Sequence, residues 1–359
     1  MKLLSARIDW WLIAPVIVLI GLGLVTIYSL TPESFANQLF AVGMSVVAFL
    51  FFSQINPSAL KAFALPIYIS AIIILGVVLL IGIESRGAVR WVNIFGITVQ
   101  FSEVLKPFLA ISFAQFLSQH SNASGRTFIK IILFLLPVFL LIDLQPDLGN
   151  ALIYGAVVFL TLIYFGFPFK WFFASSLPLI IAMPFLWARL HDYQKQRILT
   201  FFTPTSDPLG TSYNVIQAII AVGSGRLIGK GFSQGSQSNL QFLPERHTDF
   251  IFASLSEGLG FVGGAIVIGC FAMLGYKLYS MCKDSDDMFS KIYVTCAFFL
   301  IMIHFFVNIG MNIGIVPIVG VTLPFVSFGG SSLLSNAILL GIVSAIIRTE
   351  KKKNVLEIR

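Results

Sequence analysis

The segment WWLIAPVIVLIGLGLVTIYSL, residues 10–30, carries no charged side chain and decides the fold class of this chain. About 20 consecutive apolar residues are enough to cross the hydrocarbon core of a bilayer as a helix. The segment lacks the small-residue cleavage site that ends a signal peptide, so we expect a retained first transmembrane helix.

Nine further apolar segments follow, and polar or turn-forming residues separate them. Hydrophobic residues make up 57% of the 359 residues and charged residues 11%, whereas charged residues make up about 25% of a soluble domain. We therefore predict an all-α polytopic membrane protein with about ten transmembrane helices, forming a single domain over residues 1–359. The predicted spans are residues 10–30, 36–54, 62–83, 101–118, 127–143, 148–166, 169–188, 250–279, 290–313 and 331–348.

Lys and Arg residues lie mostly on one side of this predicted topology, which is typical of the cytoplasmic side. Ten spans place both termini on that side, so we predict that both termini are cytoplasmic. The same bias explains the formal net charge of +7. Nucleic acid is not expected as a partner, because the basic residues form no dense patch with interleaved aromatic residues.

The longest connection, about 189–249, is predicted to lie between helices 7 and 8 on the extracytoplasmic side. It is not of low complexity, and connections of this length are often functional. Residues 203–210 (TPTSDPLG) predict a turn cluster. Apolar residues at helical spacing from Tyr213 to Val222 predict a short interfacial helix, and a glycine-rich run from Gly223 to Gly235 follows it.

The cysteines and histidines do not indicate a metal site. The cysteines are odd in number, form no CxxC pair and lie in or beside late apolar segments, so we interpret them as packing residues. The histidines show no metal-ligand spacing. These residues are Cys270, Cys282, Cys296, His120, His191, His247 and His304.

Charged residues inside spans are informative, because each costs about 2.5–3.5 kcal/mol at the centre of a membrane helix. Glu103 and Lys106 begin the fourth span and are three residues apart, which places them on one helix face where they can pair. Two interpretations stay open for them: a self-neutralising pair at the membrane interface, or the charged wall of a polar cavity.

Three further acids lie at or near the start of predicted spans. Asp147 and Asp249 each precede a span directly, where a carboxylate can cap a helix and interact with its dipole, and capping is the favoured interpretation for both. Glu257 lies about two turns deeper than Asp249, so we expect its neighbours to be other buried polar groups.

Two loop segments complete the set of polar exceptions. Arg86 and Arg90 precede the fourth span and suit bidentate phosphate binding, with an ordinary solvated loop as the alternative. Residues 317–332 (PIVGVTLPFVSFGGSS) are apolar but interrupted by Pro and Gly, which predicts a re-entrant, non-helical element. Ser331 and Ser332 are candidate caps of the last span.

Most of these exceptions fall on the predicted outer side of the membrane, so we expect them to form one outward-facing site. They are Arg86, Arg90, Glu103, Lys106, Asp147, Asp249 and the segment 317–332. Carboxylates combined with basic groups suit general-base work on a hydroxyl group, or the binding of a phosphorylated substrate. No Ser/His/Asp or Cys/His nucleophile arrangement stands out among them.

The same segments resemble the signature motifs of the SEDS family, and they occur in the family order over almost the whole chain. The form of the glycine-rich motif is more similar to the elongation (RodA) branch than to the division (FtsW) branch. The matching segments are 86–91 (RGAVRW), 102–107 (SEVLKP), 145–149 (QPDLG), 229–238 (GKGFSQGSQS), 243–252 (LPERHTDFIF) and 323–332 (LPFVSFGGSS).

The resemblance implies a peptidoglycan glycosyltransferase that polymerises lipid II, a disaccharide-pentapeptide on undecaprenyl pyrophosphate, for cell elongation. Asp249 matches the essential aspartate of the family, which implies a general base that activates the acceptor hydroxyl while the lipid pyrophosphate leaves. The resemblance also implies that substrate is bound by Glu103, Lys106, Arg86, Arg90, His247 and Ser331.

Location and partners are implied in the same way. The family resemblance implies the bacterial cytoplasmic (inner) membrane, with the active site on the extracytoplasmic face. Implied partners are a class B penicillin-binding protein and elongation-complex proteins such as MreC and MreD, besides lipid II and membrane lipids. A divalent cation (Mg or Mn) would suit a pyrophosphate leaving group, but the sequence offers no definite ligand set.

Two other functions compete with the transferase. A lipid II flippase would need charges that reach through the bilayer, and a non-catalytic cell-wall scaffold would need no buried charge. The predicted clustering of charges at the outer face favours the transferase. One position departs from the family pattern, since Gly258 stands where many members carry a second acid after Glu257.

Overall fold

A computed structural model describes residues 9–85, 88–94, 96–120, 122–203, 212–232 and 234–357. The described regular structure is almost all helical, with one small sheet. In chain order the elements are α1 (Trp10–Leu30), α2 (Pro32–Phe52), α3 (Pro57–Ala62), α4 (Ala64–Ile81), β1 (Ile83–Ser85), β2 (Ala88–Ile94), β3 (Ile97–Val99), α5 (Phe101–Val104), α6 (Lys106–Gln119), α7 (Gly125–Asp143), α8 (Leu148–Tyr164), α9 (Phe169–Arg189), α10 (Asp192–Phe202), α11 (Tyr213–Ser224), α12 (Ser236–Asn239), α13 (Ile251–Asp284), α14 (Met288–Asn312) and α15 (Gly330–Glu357).

Seven described helices are long and apolar enough to cross a membrane, namely α1, α2, α4, α7, α13, α14 and most of α15. Helices α8 and α11 and the stretch Phe169–Phe185 of α9 are apolar but shorter. Each predicted span coincides with a helix or a pair of helices, so the polytopic all-α fold is confirmed. The count of ten transmembrane helices stays a prediction.

The predicted span at 101–118 is broken at Leu105, between α5 and α6. Pro107 accounts for the break, because proline has no N–H and its ring crowds the carbonyl group four residues earlier, which belongs to Glu103. The break leaves Glu103 in the short helix α5 and makes Lys106 the first residue of α6.

The bundle is centred on α14 and α15, which are the most deeply buried of the membrane-length helices. Their inner side chains belong to a large apolar cluster shared with α1, α8 and α13, and Tyr293 and Phe271 are among its largest fully buried members. α2 differs, because most of its surface is exposed and it carries Phe40, Val47 and Phe51 outward. Such a face is typical of a helix in contact with lipid.

A small antiparallel sheet, in the order β1-β2-β3, occupies the connection between α4 and α5. The side chain of Asn93 accepts a hydrogen bond from the N–H of Gly96 (2.7 Å) and closes the turn between β2 and β3. The sequence predicts only a loop here, so the sheet is a finding of the structure. It fixes Arg90 on the central strand, while Arg86 lies outside the described residues.

The long connection between α9 and α13 contains α10, α11 and α12. The predicted helix from Tyr213 to Val222 is present as α11, and Ala218 and Ala221 on it are fully buried. Because α11 packs against α13, it is part of the bundle and does not merely lie on its surface. α10 was not expected from the sequence, and the predicted turn cluster lies outside the described residues apart from Thr203.

Helix α13 is interrupted at Gly260, whose φ of +66° and ψ of −160° are not helical. The interruption frees backbone groups on both sides of it, and the preceding glycine-rich run binds them. The N–H of Phe261 donates to the carbonyl of Arg226 (2.8 Å), and the N–H of Lys230 donates to the carbonyl of Glu257 (3.0 Å). The sequence predicts one continuous span here, whereas the structure has two helical pieces joined to a neighbouring backbone.

Replacing Gly260 with Ala should lower the free energy of unfolding by about 1–3 kcal/mol, the usual cost of a Cβ in a sparsely populated conformation. The added Cβ would also lie 2.3 Å from the backbone N of Gly229. Gly269→Ala is the matched control, because its added Cβ meets no neighbouring atom within 4 Å and Ala favours a helix over Gly. Thermal unfolding in detergent measures the stability of both variants against the wild type. Equal melting temperatures for Gly260→Ala and the wild type would contradict the prediction.

An ion pair ties α3 to α14 at the other end of the bundle, where Lys61 Nζ lies 2.5 Å from Asp287 Oδ1. Asp287 also caps α14 by accepting a hydrogen bond from the N–H of Ser290 (3.0 Å). Burial alone would raise the pKa of Asp287, but the hydrogen bonds from Lys61 and Ser290 outweigh burial and lower it. Both members of the ion pair are partly exposed, so solvent reduces its contribution to stability.

Asp287→Asn should lower the free energy of unfolding at neutral pH by about 0.5–1 kcal/mol, because the amide keeps the cap but loses the charge. The folded pKa of Asp287 is below its unfolded value, so its contribution is present above the unfolded pKa and is lost as the pH falls through the folded pKa. Melting curves of both proteins should therefore converge at acid pH. Asp286→Asn, at an exposed neighbouring acid, is the control. A difference between Asp287→Asn and the wild type that persists at acid pH would refute this account.

Candidate active site

Glu103 and Lys106 pair as their spacing predicts, with Lys106 Nζ 2.7 Å from Glu103 Oε1. Both side chains are buried, so the pair does not lie at an exposed interface, and the wall of a polar cavity stays a prediction. A third group joins them, since Nζ of Lys106 also lies 2.8 Å from Nε2 of His304 on α14.

Asp147 is the N-cap of α8, as predicted, and accepts a hydrogen bond from the N–H of Asn150 (3.4 Å). The cap is only part of its role, because the same carboxylate accepts from Gln100 Nε2 (2.7 Å) and Ser102 Oγ (3.0 Å). Arg90 completes the group, with Nη1 3.8 Å from Asp147 Oδ1. The sheet thus brings a predicted phosphate-binding arginine against a buried acid.

Ser331 and Ser332 do not cap α15, because the helix begins before them at Gly330. Ser331 Oγ accepts a hydrogen bond from the N–H of Gln100 (2.9 Å), which joins the start of α15 to the Asp147 group. Ser332 Oγ lies 2.8 Å from the hydroxyl of Thr322. The capping prediction for the two serines is therefore wrong, and their contacts place Ser331 beside the site.

Asp249 lies one residue before the N-cap of α13, which is Phe250. The capping prediction for Asp249 is therefore wrong. Its backbone carbonyl accepts hydrogen bonds from Nδ2 of Asn308 (2.9 Å) and Nδ2 of Asn312 (3.1 Å), so α14 holds the backbone that carries the carboxylate.

The carboxylate of Asp249 points toward Gly320, in the segment between α14 and α15. A Cβ added to Gly320, which has φ +74°, would lie 3.4 Å from Asp249 Oδ2 and 3.5 Å from Nη1 of Arg197 on α10. Both charged groups therefore approach the same small volume. Arg197 is a site residue that the sequence did not single out.

The segment 317–332 is non-helical up to Gly330, as its prolines and glycines predict, and much of it is buried. It holds the stretch just before Asp249, because Ser327 Oγ donates to the carbonyl of Thr248 (2.7 Å). The N–H of Phe328 donates to the carbonyl of His247 (2.9 Å), and the two rings contact edge to face. Burial lowers the pKa of His247, which keeps its imidazole neutral near pH 7.

Glu257 is fully buried and is surrounded by polar groups, as predicted. Its carboxylate accepts hydrogen bonds from the backbone N–H groups of Gln237 (3.0 Å) and Ser238 (2.9 Å) and from the Ser238 hydroxyl (2.7 Å). Lys230 Nζ lies 3.5 Å away. Steric crowding explains why position 258 is a glycine, because a Cβ there would lie 2.8 Å from the Phe232 ring.

The sequence also missed a polar stripe on α14 formed by His304, Asn308 and Asn312. These residues are four apart, which places them on one helix face, and all three are buried. The signal was available, because three polar residues with this spacing inside an apolar span are expensive.

The described residues contain no group of three or more His, Cys, Asp or Glu side chains placed to hold a metal ion. Glu103 and Asp147 are engaged by Lys106 and Arg90, respectively. Among the described residues, this donor set does not fit a cation held by the protein alone.

Fold and site together define a class: a multi-pass helical membrane protein whose buried acids and cations meet beside an interrupted segment. The family model described as "Cell cycle protein", which covers FtsW, RodA and SpoVE, matches residues 1–352. The peptidoglycan glycosyltransferase MrdB of Escherichia coli (strain K12) is 37% identical over 308 residues, covering 85% of this chain and 83% of that protein.

Two solved structures share the fold. One belongs to a peptidoglycan synthase complex that coordinates polymerization and crosslinking, with a TM-score of 0.82 and 27% identity, covering 96% of this chain and 98% of that one. The other is the rod shape determining protein RodA of Thermus thermophilus, with a TM-score of 0.72 and 26% identity, covering 95% and 97%. This chain therefore belongs to the SEDS family and is RodA-like.

Glu257→Gln should loosen the loop before Asp249 without unfolding the bundle. The amide keeps one acceptor oxygen but places an NH2 group against N–H donors, and each buried donor left unpaired costs about 1–3 kcal/mol. Hydrogen exchange of the backbone amides of Gln237 and Ser238, which donate to Glu257, should accelerate by at least about tenfold. Glu33→Gln, at an exposed acid, is the control. Unchanged exchange at both amides would contradict the role given to Glu257.

Proposed function

We propose that this chain is a peptidoglycan glycosyltransferase that polymerises lipid II for cell elongation, with Asp249 as the general base. The relative MrdB bears the name peptidoglycan glycosyltransferase, and the chain aligns with it over most of both lengths. The observation that carries the assignment is the carboxylate of Asp249, held by α14 through its backbone and aimed at Gly320 beside Arg197.

In this mechanism Asp249 removes the proton from the acceptor sugar hydroxyl as the oxygen attacks the anomeric carbon of the donor. The new glycosidic C–O bond forms while the bond from that carbon to the pyrophosphate breaks, and undecaprenyl pyrophosphate leaves. Hydrogen bonds from Asn308 and Asn312 to the Asp249 carbonyl support the base in a fixed position. A base already in place needs little reorganisation during the reaction.

The cations of the site suit the anionic leaving group. Lys106 uses two of its three N–H donors on Glu103 and His304, and among the described residues the third has no partner. Arg90 and Arg197 each approach an acid of the site and add guanidinium groups, which bind phosphate well. We assign substrate binding to these residues, to His247 and Ser331, and to Arg86 by its motif alone.

The charge distribution supports the proposed orientation in the bilayer. Glu103, Asp147, Asp249 and Glu257 lie at the ends of helices that meet on one side of the bundle, whereas the pair Lys61–Asp287 lies at the opposite end. We propose that the first end faces outward and that both termini are cytoplasmic. A flippase would need charges along the whole path through the bundle, and a scaffold would need none.

Partners follow from the same assignment. A similar chain occurs in a solved peptidoglycan synthase complex. We propose that this chain likewise works in a complex, with a class B penicillin-binding protein as crosslinking partner and MreC and MreD as elongation-complex neighbours. The membrane would be the bacterial cytoplasmic membrane.

Asp249→Asn should reduce polymerisation of lipid II at least about 100-fold, because the amide cannot accept the hydroxyl proton. The assay combines the purified full chain with lipid II and its penicillin-binding partner, and glycan length is measured on a gel. Asp192→Asn, at an exposed acid of the same connection, is the control and should retain activity. Undiminished polymer from Asp249→Asn would refute the assignment, and lipid II movement across liposomes without polymerisation would favour the flippase.

A further inference from the structure

The polar stripe on α14 joins the two charged groups of the site. His304 contacts Lys106 at the start of α6, and Asn308, one turn further along, contacts the backbone of Asp249. Lys106 begins α6 and Asp249 lies just before α13, so the two are far apart in sequence, and α14 contacts both of them.

The hydrogen bonds of His304 fix its tautomer. A lysine ammonium group can only donate, so Nε2 of His304 must accept from Nζ of Lys106 (2.8 Å). The ring proton is then on Nδ1, which lies 3.3 Å from the carbonyl oxygen of Thr322 and donates to it. A neutral imidazole therefore satisfies both neighbours at once, and an imidazolium would repel Lys106.

Thr322 belongs to the same short segment as Gly320, against which the Asp249 carboxylate lies. Between them, the carbonyl of Val321 accepts from Nδ2 of Asn308 (2.7 Å). Two adjacent carbonyls of this segment are thus held by His304 and Asn308. Through these bonds the position of Lys106 is coupled to the position of the segment beside Asp249.

We infer that His304 is a positioning residue for the transferase reaction: it holds Lys106 and the segment 320–322 in one fixed arrangement with Asp249. The inference rests on the proposed function, since it assigns a role within the same reaction. His304 does not touch the reacting atoms. It acts by keeping the cation and the base in the relative positions that the transition state requires.

Three variants at position 304 separate its two contacts. Gln places an oxygen near the position of Nε2 and can still accept from Lys106, whereas Asn places an amide near Nδ1 and can still donate to Thr322. Leu fills a similar volume with neither group. The control is Thr295→Val, which removes a buried hydroxyl from the other half of the same helix.

The measurements are kcat and KM for lipid II polymerisation by the full chain with its penicillin-binding partner, and the melting temperature of each variant. Misplacement of about 1 Å at a catalytic group can cost about 100-fold in rate. We expect His304→Leu and His304→Asn to lower kcat by about 10- to 100-fold with KM changed less than threefold. His304→Gln should stay within about fivefold of the wild type, because Asn308 still holds the segment 320–322 through the carbonyl of Val321. Thr295→Val should match the wild type.

Several outcomes would overturn the inference. If His304→Leu fails to fold, the comparison of His304→Gln with His304→Asn decides, because each retains one polar contact. If those two variants are equally active, His304 has a purely structural role. The same holds if the loss of activity in each variant parallels the fall in its melting temperature. Full activity of every position-304 variant beside an inactive Asp249→Asn would refute this inference alone, whereas an active Asp249→Asn would refute the proposed function itself.

Discussion

The exclusion of water from the hydrocarbon core is the constraint on which the rest of this structure depends. A polar group that loses water must find a partner inside the protein or cost several kcal/mol. Glu103, Lys106 and His304 satisfy one another, and Glu257 is satisfied by a loop that precedes it in the chain. Even the backbone groups freed at Gly260 are paired, with the glycine-rich run. The site is thus assembled from the partners that buried polar groups require.

This origin of the site explains its chemical character. Groups held by several hydrogen bonds in a water-poor interior cannot reorient easily, so their charges are fixed before any substrate arrives. Asp147 and Glu257 are each surrounded by donors and serve mainly to hold other elements in place. In the proposed mechanism Lys106 and Asp249 differ, because they act on the substrate.

Local chemistry made part of this structure predictable from sequence. Hydropathy locates the helices, a three-residue spacing pairs Glu103 with Lys106, and a helix-start acid gives the cap at Asp147. The features that escaped prediction depend on contacts distant in sequence. The contacts of His304, for example, are visible only when α6 and the segment 320–322 are brought to it. The capping prediction for Asp249 failed for a local reason, since the N-cap of α13 is Phe250, one residue later. The hydrophobic patterns of the sheet and of α10 are too weak to predict these elements from the sequence.

The joint between α13 and the glycine-rich run has an evolutionary consequence. Its hydrogen bonds join main-chain atoms only, so they place no demand on the side chains of Leu227 and Ile228, which project outward. Those positions can drift among relatives, whereas Gly229 and Gly260 cannot acquire a Cβ without a collision. Inserting or deleting one residue in the run would shift every bond of the joint together. Selection should therefore conserve the length of this run more strictly than its composition.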